Sequence, residues 1–126
     1  MSRKLFLSLF IFLFVCGTAI AAGGYKYDRS TGSGAISRTV TFTSDVLLDE
    51  VNVHLSAAGG ADNFTVTLDA AAGAEYDVVL ITKDMTSTVD YIYRFERPRQ
   101  LFNGDKIVIA WANTNSRTYG LEVIWR

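Results

Sequence analysis

The feature that most constrains this chain is an alternation of apolar and polar residues with period two, which returns seven times between residue 36 and the C-terminus. Val51, Val53 and Leu55 alternate with Glu50, Asn52 and His54, and Phe64, Val66 and Leu68 with Thr65, Thr67 and Asp69. Ile107, Ile109 and Trp111 alternate with Val108, Ala110 and Ala112, and Tyr119, Leu121, Val123 and Trp125 with Gly120, Glu122 and Ile124. Weaker runs place Ile36, Val40 and Phe42 on one parity, broken by Arg38. Tyr76, Val78 and Leu80 share another, with Val79 and Ile81 between them, and Val89, Tyr91, Tyr93 and Phe95 a third. Side chains of a strand point alternately to its two faces, so these runs are half-buried strands, and their β-branched and aromatic content agrees.

Turn-forming residues punctuate the runs about every ten positions. They cluster at 57–63, 70–74, Asn103-Gly104-Asp105 and 113–118, and Pro98 reads as a strand end. No stretch carries a helical period. The expected fold is a single antiparallel all-β sandwich of seven to eight strands over residues 36–126. Paired cysteines around a core Trp, the immunoglobulin signature, are missing, which favours a jelly-roll-like arrangement. Residues 22–35, rich in Gly, Ser and Thr, read as a flexible arm or a loosely held first strand.

The first 21 residues read differently. Arg3 and Lys4 precede a short apolar run over 5–15, and Ala19-Ile20-Ala21 places small residues ahead of a cut. That is the pattern of a secretory signal peptide, and the run is short for a membrane span. The expected product is a secreted or periplasmic chain, off the membrane once cleaved. Cleavage removes Cys16, the single cysteine, so no disulfide is expected. Of 12 Lys and Arg, the leader takes Arg3 and Lys4, leaving ten against 13 Asp and Glu. A chain near −3 has no electrostatic footprint for nucleic acid.

Motifs that carry chemistry are few in this chain. The one histidine, His54, lies on a polar parity without triad or metal partners. No nucleophile elbow or phosphate loop occurs in its proper context, so no catalytic residue, metal or cofactor is expected. Asp45, Asp49 and Glu50 at a strand entrance form the one weak calcium alternative. The loop 113–118 offers Asn113, Asn115 and Arg117 as donors and acceptors for a partner. Val79, Ile81, Val108, Ala110 and Ile124 stand opposite core phases. If the last two strands pair as a hairpin, these residues gather on one face for self-association or packing in a larger assembly. Sugar binding is the alternative, with Tyr25 and Tyr27 as the aromatics outside core phases. A small glycosidase is a further one, on scattered carboxylates. The expected role is that of a non-enzymatic exported module, structural or binding.

Four segments carry a resemblance. They are Glu50-Val51-Asn52-Val53-His54-Leu55-Ser56, Asn63-Phe64-Thr65-Val66-Thr67-Leu68-Asp69, Gly104-Asp105-Lys106-Ile107 and residues 115–123. The chain from Val51 to Trp125 resembles small uncharacterised all-β proteins encoded by tailed phages and prophages of environmental bacteria. The resemblance implies a virion-associated or prophage-encoded structural protein, and it carries over no functional residues.

Overall fold

The computed structural model describes residues 24–126; the expected leader, residues 1–21, lies outside them. Eight strands form: β1 (Lys26–Gly32), β2 (Ile36–Thr41), β3 (Val46–Leu55), β4 (Asn63–Asp69), β5 (Val78–Asp84), β6 (Asp90–Leu101), β7 (Lys106–Trp111) and β8 (Tyr119–Trp125). They pair antiparallel as β1–β8, β2–β7, β3–β6 and β4–β5. Contacts β3–β8 and β4–β7 complete two sheets, ordered β1-β8-β3-β6 and β2-β7-β4-β5. The chain is therefore one long hairpin with β4–β5 at its tip, rolled upon itself into two facing sheets. That is a jelly roll.

The alternating apolar residues fill the space between the sheets. Leu48, Val51, Leu55, Phe64, Val66, Ile107, Ile109, Trp111 and Val123 are buried there. Phe42 meets Trp125 edge to face with ring centres 5.4 Å apart, and Tyr93 meets Phe95 in the same way at 4.9 Å. Such aromatic pairs add to the area they bury.

Three expectations need correction. Of the segment 22–35, expected as a flexible arm or a loosely held first strand, residues 26–32 form a regular strand, β1, whose register along β8 runs from Lys26↔Trp125 to Gly32↔Tyr119. Thr and Tyr supply its β preference, and β8 supplies its hydrogen bonds. Pro98 lies within β6 instead of ending it. β6 is an edge strand, and a proline without an N–H costs a sheet edge nothing. The last two strands do not form a hairpin, because β7 and β8 belong to opposite sheets.

The edges explain Arg38, which broke the parity of its strand. It sits on edge strand β2 opposite the buried Ile109, in the inward phase. Its guanidinium reaches across to edge strand β1, donating from Nε to Asp28 Oδ2 at 2.9 Å and from Nη2 to Oδ1 at 2.5 Å. This forked pair closes one side of the sandwich. An inward-pointing charge also stops an edge strand from recruiting another chain.

Candidate functional site

The outer face of the sheet β1-β8-β3-β6 is a ladder of polar residues. One row across it reads Tyr27, Ile124, Glu50, Arg94; the next reads Arg29, Glu122, Asn52, Ile92; the third reads Thr31, Gly120, His54, Asp90. Arg29 pairs with Glu122, and His54 Nδ1 lies 2.5 Å from Asp90 Oδ1. His54 thus holds the surface position expected of it.

At the Tyr27 end the sheet loses its regularity. Leu48 faces Trp125 while Glu50 faces Ile124, so Asp49 is an extra residue relative to β8. Against β6 the mismatch is larger: Leu48 faces Arg99 and Glu50 faces Arg94, leaving residues 95–98 opposite Asp49 alone. Bulges of this kind re-aim side chains and are common beside binding sites. Here they fold Phe95, Glu96 and Pro98 into one wall of a groove of about 490 Å³. Tyr25 and Tyr27 form the opposite wall, and Asp49, Glu50, Arg94 and Ile124 also line the groove.

Both tyrosines are half exposed, at 56% and 50%. Cations steady them: the Arg126 guanidinium stands 5.9 Å from the Tyr25 ring centre, and that of Arg29 stands 5.0 Å from the Tyr27 ring centre. Arg126 Nε also donates to Asp49 Oδ2 at 3.1 Å. Glu50 is the buried charge of the site, 8% exposed. Burial pushes its pKa up, but hydrogen bonds from Asn52 Nδ2 at 2.6 Å and Arg94 Nε at 2.7 Å, with the Arg94 charge, hold it below the usual carboxylate value. Glu50 is therefore an ionised acceptor. Together these groups present aromatic faces, carboxylate acceptors and guanidinium donors, a set suited to a ligand with apolar ring faces and a hydroxyl rim.

Asn113 is 3% exposed and spends its amide inside the protein. Its Nδ2 donates to the carbonyls of Ser33, Gly34 and Arg117, and its Oδ1 accepts from Arg117 N at 2.8 Å. Arg117 Nε donates to the Ala58 carbonyl at 2.8 Å. Asn115 alone of the three is exposed. The side chains of Asn113 and Arg117 thus tie the loop to the rest of the fold.

The expected interaction face divides. Val79 is 56% exposed, but Ile81 is 3% exposed and belongs to the core. The register explains this: Val66 faces Ile81 while Thr67 faces Val79, so Leu80 is a bulged residue and the parity of β5 flips across it. Val108 and Ala110 share the outer face with Val79, whereas Ile124 lies on the other sheet and lines the groove.

The calcium alternative does not assemble. Asp45 accepts from Asn103 N, Asp49 pairs with Arg126 and Glu50 with Arg94. Among the described residues, no group of three or more His, Cys, Asp or Glu is placed to hold a metal ion. Arg94, Glu96 and Pro98 were missed as groove residues, because a bulge leaves no mark in an alternation pattern. Neither a known protein-family model nor a curated protein sequence matches this chain.

Proposed function

We propose that this protein is an exported, non-enzymatic binding module that takes a glycan in the groove on the outer face of β1-β8-β3-β6. The observation that carries it is the pairing of two half-exposed tyrosines with a bulge-built wall around fixed carboxylates and a guanidinium. Sugar rings stack their C–H faces on aromatic rings and share hydroxyls with carboxylates and arginines. Jelly rolls serve as lectin domains and as capsid domains alike, so the site and not the fold decides between uses. Glu50 does not fit the general acid of a glycosidase, which needs a raised pKa, because Asn52 and Arg94 hold it lowered.

Electrophoresis of the chain 22–126 in native gels containing laminarin, xylan or hydroxyethylcellulose tests the reading. The expected result is retardation by at least one of these polymers. Tyr27→Ala weakens it at least about tenfold, on the order of 1.4 kcal/mol. Equal retardation of the variant and the wild type overturns the assignment.

A second reading has its own observation. Two rows on the outer face of β2-β7-β4-β5, Ser37–Ala110–Thr65–Thr82 and Thr39–Val108–Thr67–Val79, hold no charged residue. At strand spacings of about 4.8 Å and a two-residue rise of about 6.7 Å, the eight positions cover roughly 250 Å². That is well below the ~800 Å² per partner of a stable complex, so self-association through this face, or packing in a virion or other assembly, is weak and many-sided. Sedimentation at tens of micromolar checks it: association abolished by Val108→Lys supports this use, and a monomer throughout removes it.

A further inference from the structure

The charges of the groove go further than the class of ligand. Three carboxylates line it, Asp49, Glu50 and Glu96, against the single guanidinium of Arg94. Arg94 is committed to Glu50, and the neighbouring Arg126 is committed to Asp49. Glu96 is exposed and makes no ion pair among the described residues. The groove therefore has acceptors to spare and no uncommitted cation. A sugar hydroxyl donates to such acceptors, whereas a uronate or sulfate meets Glu96 with no guanidinium released to neutralise it.

We infer that the groove selects uncharged sugar chains and rejects acidic ones, with Glu96 as the residue that enforces the choice. This rests on the glycan reading of the same groove. The shape supports a chain over a single sugar. The lining runs from Tyr27 on β1 through Ile124 on β8 and Glu50 on β3 to Arg94 on β6, crossing the sheet from edge to edge. Three strand gaps of about 4.8 Å make that path about 14 Å long, enough for a short oligosaccharide. Tyr25 and Tyr27, two residues apart at the start of the path, offer two ring faces at one end. The carboxylates follow at its middle and far end.

The test compares neutral polymers (laminarin, xylan, hydroxyethylcellulose) with acidic ones (polygalacturonate, alginate) by affinity electrophoresis of wild type and Glu96→Gln at low salt. Wild type is expected to bind a neutral polymer at least tenfold more tightly than any acidic one. Glu96→Gln narrows that ratio at least threefold, with an unchanged melting temperature. Equal or tighter binding of acidic polymers by wild type overturns the selectivity while leaving the glycan reading in place. A ratio unmoved by Glu96→Gln removes Glu96 from the role. Binding to neither class overturns both.

Discussion

Asn113 shows how one side chain can serve the fold while looking like a recognition residue. Its backbone has φ of 50°, a left-handed conformation that asparagine tolerates better than most residues. Its amide joins the loop 113–118 to the Ser33 and Gly34 carbonyls that follow β1. Asn113→Ala strands those buried groups and is expected to cost about 3 kcal/mol, seen in thermal unfolding as a fall on the order of 10–20 °C. A fall of a degree or two contradicts this account of the loop. Glu50 makes a matching case in the groove. Its folded pKa is depressed, so it adds stability above the ordinary carboxylate range of about 4.3, and that contribution disappears as pH falls through the folded value. Stability measured against pH should accordingly fall less steeply on the acid side for Glu50→Gln than for wild type. Equal acid slopes would show that Asn52 and Arg94 do not hold Glu50 ionised. The identity of these residues was legible in the sequence, but their partners were not. Asn113 meets residues about eighty positions away, and Glu50 meets Arg94 at a separation of 44.

At the level of the strand, alternation succeeds wherever the ladder is regular and fails where a residue is inserted. β4, β7 and β8 bury the parity that their sequences indicate, as with Phe64, Val66 and Leu68. In β5 the insertion at Leu80 inverts the phase, so that Ile81 turns inward while Val79 stays outward as its parity indicates. Apolar residues on both parities, from Val78 to Ile81, gave no means of telling which way that strand lay. The same failure hid the groove, since its far wall exists because residues 95–98 bulge away from Asp49. A pair of substitutions checks the flip. Val79→Lys is expected to leave stability within about 0.5 kcal/mol, while Ile81→Lys puts an unpaired ammonium into the core and costs upwards of about 4 kcal/mol. Urea denaturation of the two variants distinguishes them, and similar midpoints would contradict the register of β5.

Over the whole molecule, the jelly roll makes its two outer faces unlike. The sheet that ends in β1 displays Arg29, Glu122, Glu50, Arg94, His54 and Asp90, with the groove at one end. The sheet that ends in β2 shows two uncharged rows of Ser, Thr, Ala and Val. Sequence alone indicated a sandwich, because strand number, turn spacing and missing cysteines are local properties. It did not indicate which strands share a sheet, since the pairing of β1 with β8 joins the two ends of the described chain. Tyr25 and Tyr27 stood out as aromatics outside any core phase, yet the groove they flank required β3, β6 and β8 to come together. The most direct measurement is a two-dimensional amide NMR titration of the chain 22–126 with whichever neutral oligosaccharide it retains. Shift changes are expected at Tyr25, Tyr27, Asp49, Glu50, Arg94, Glu96 and Ile124, with the loop 113–118 and the Val79–Val108 face unmoved. Changes centred on that loop or that face, with the groove silent, would contradict the assignment of the groove as the binding site.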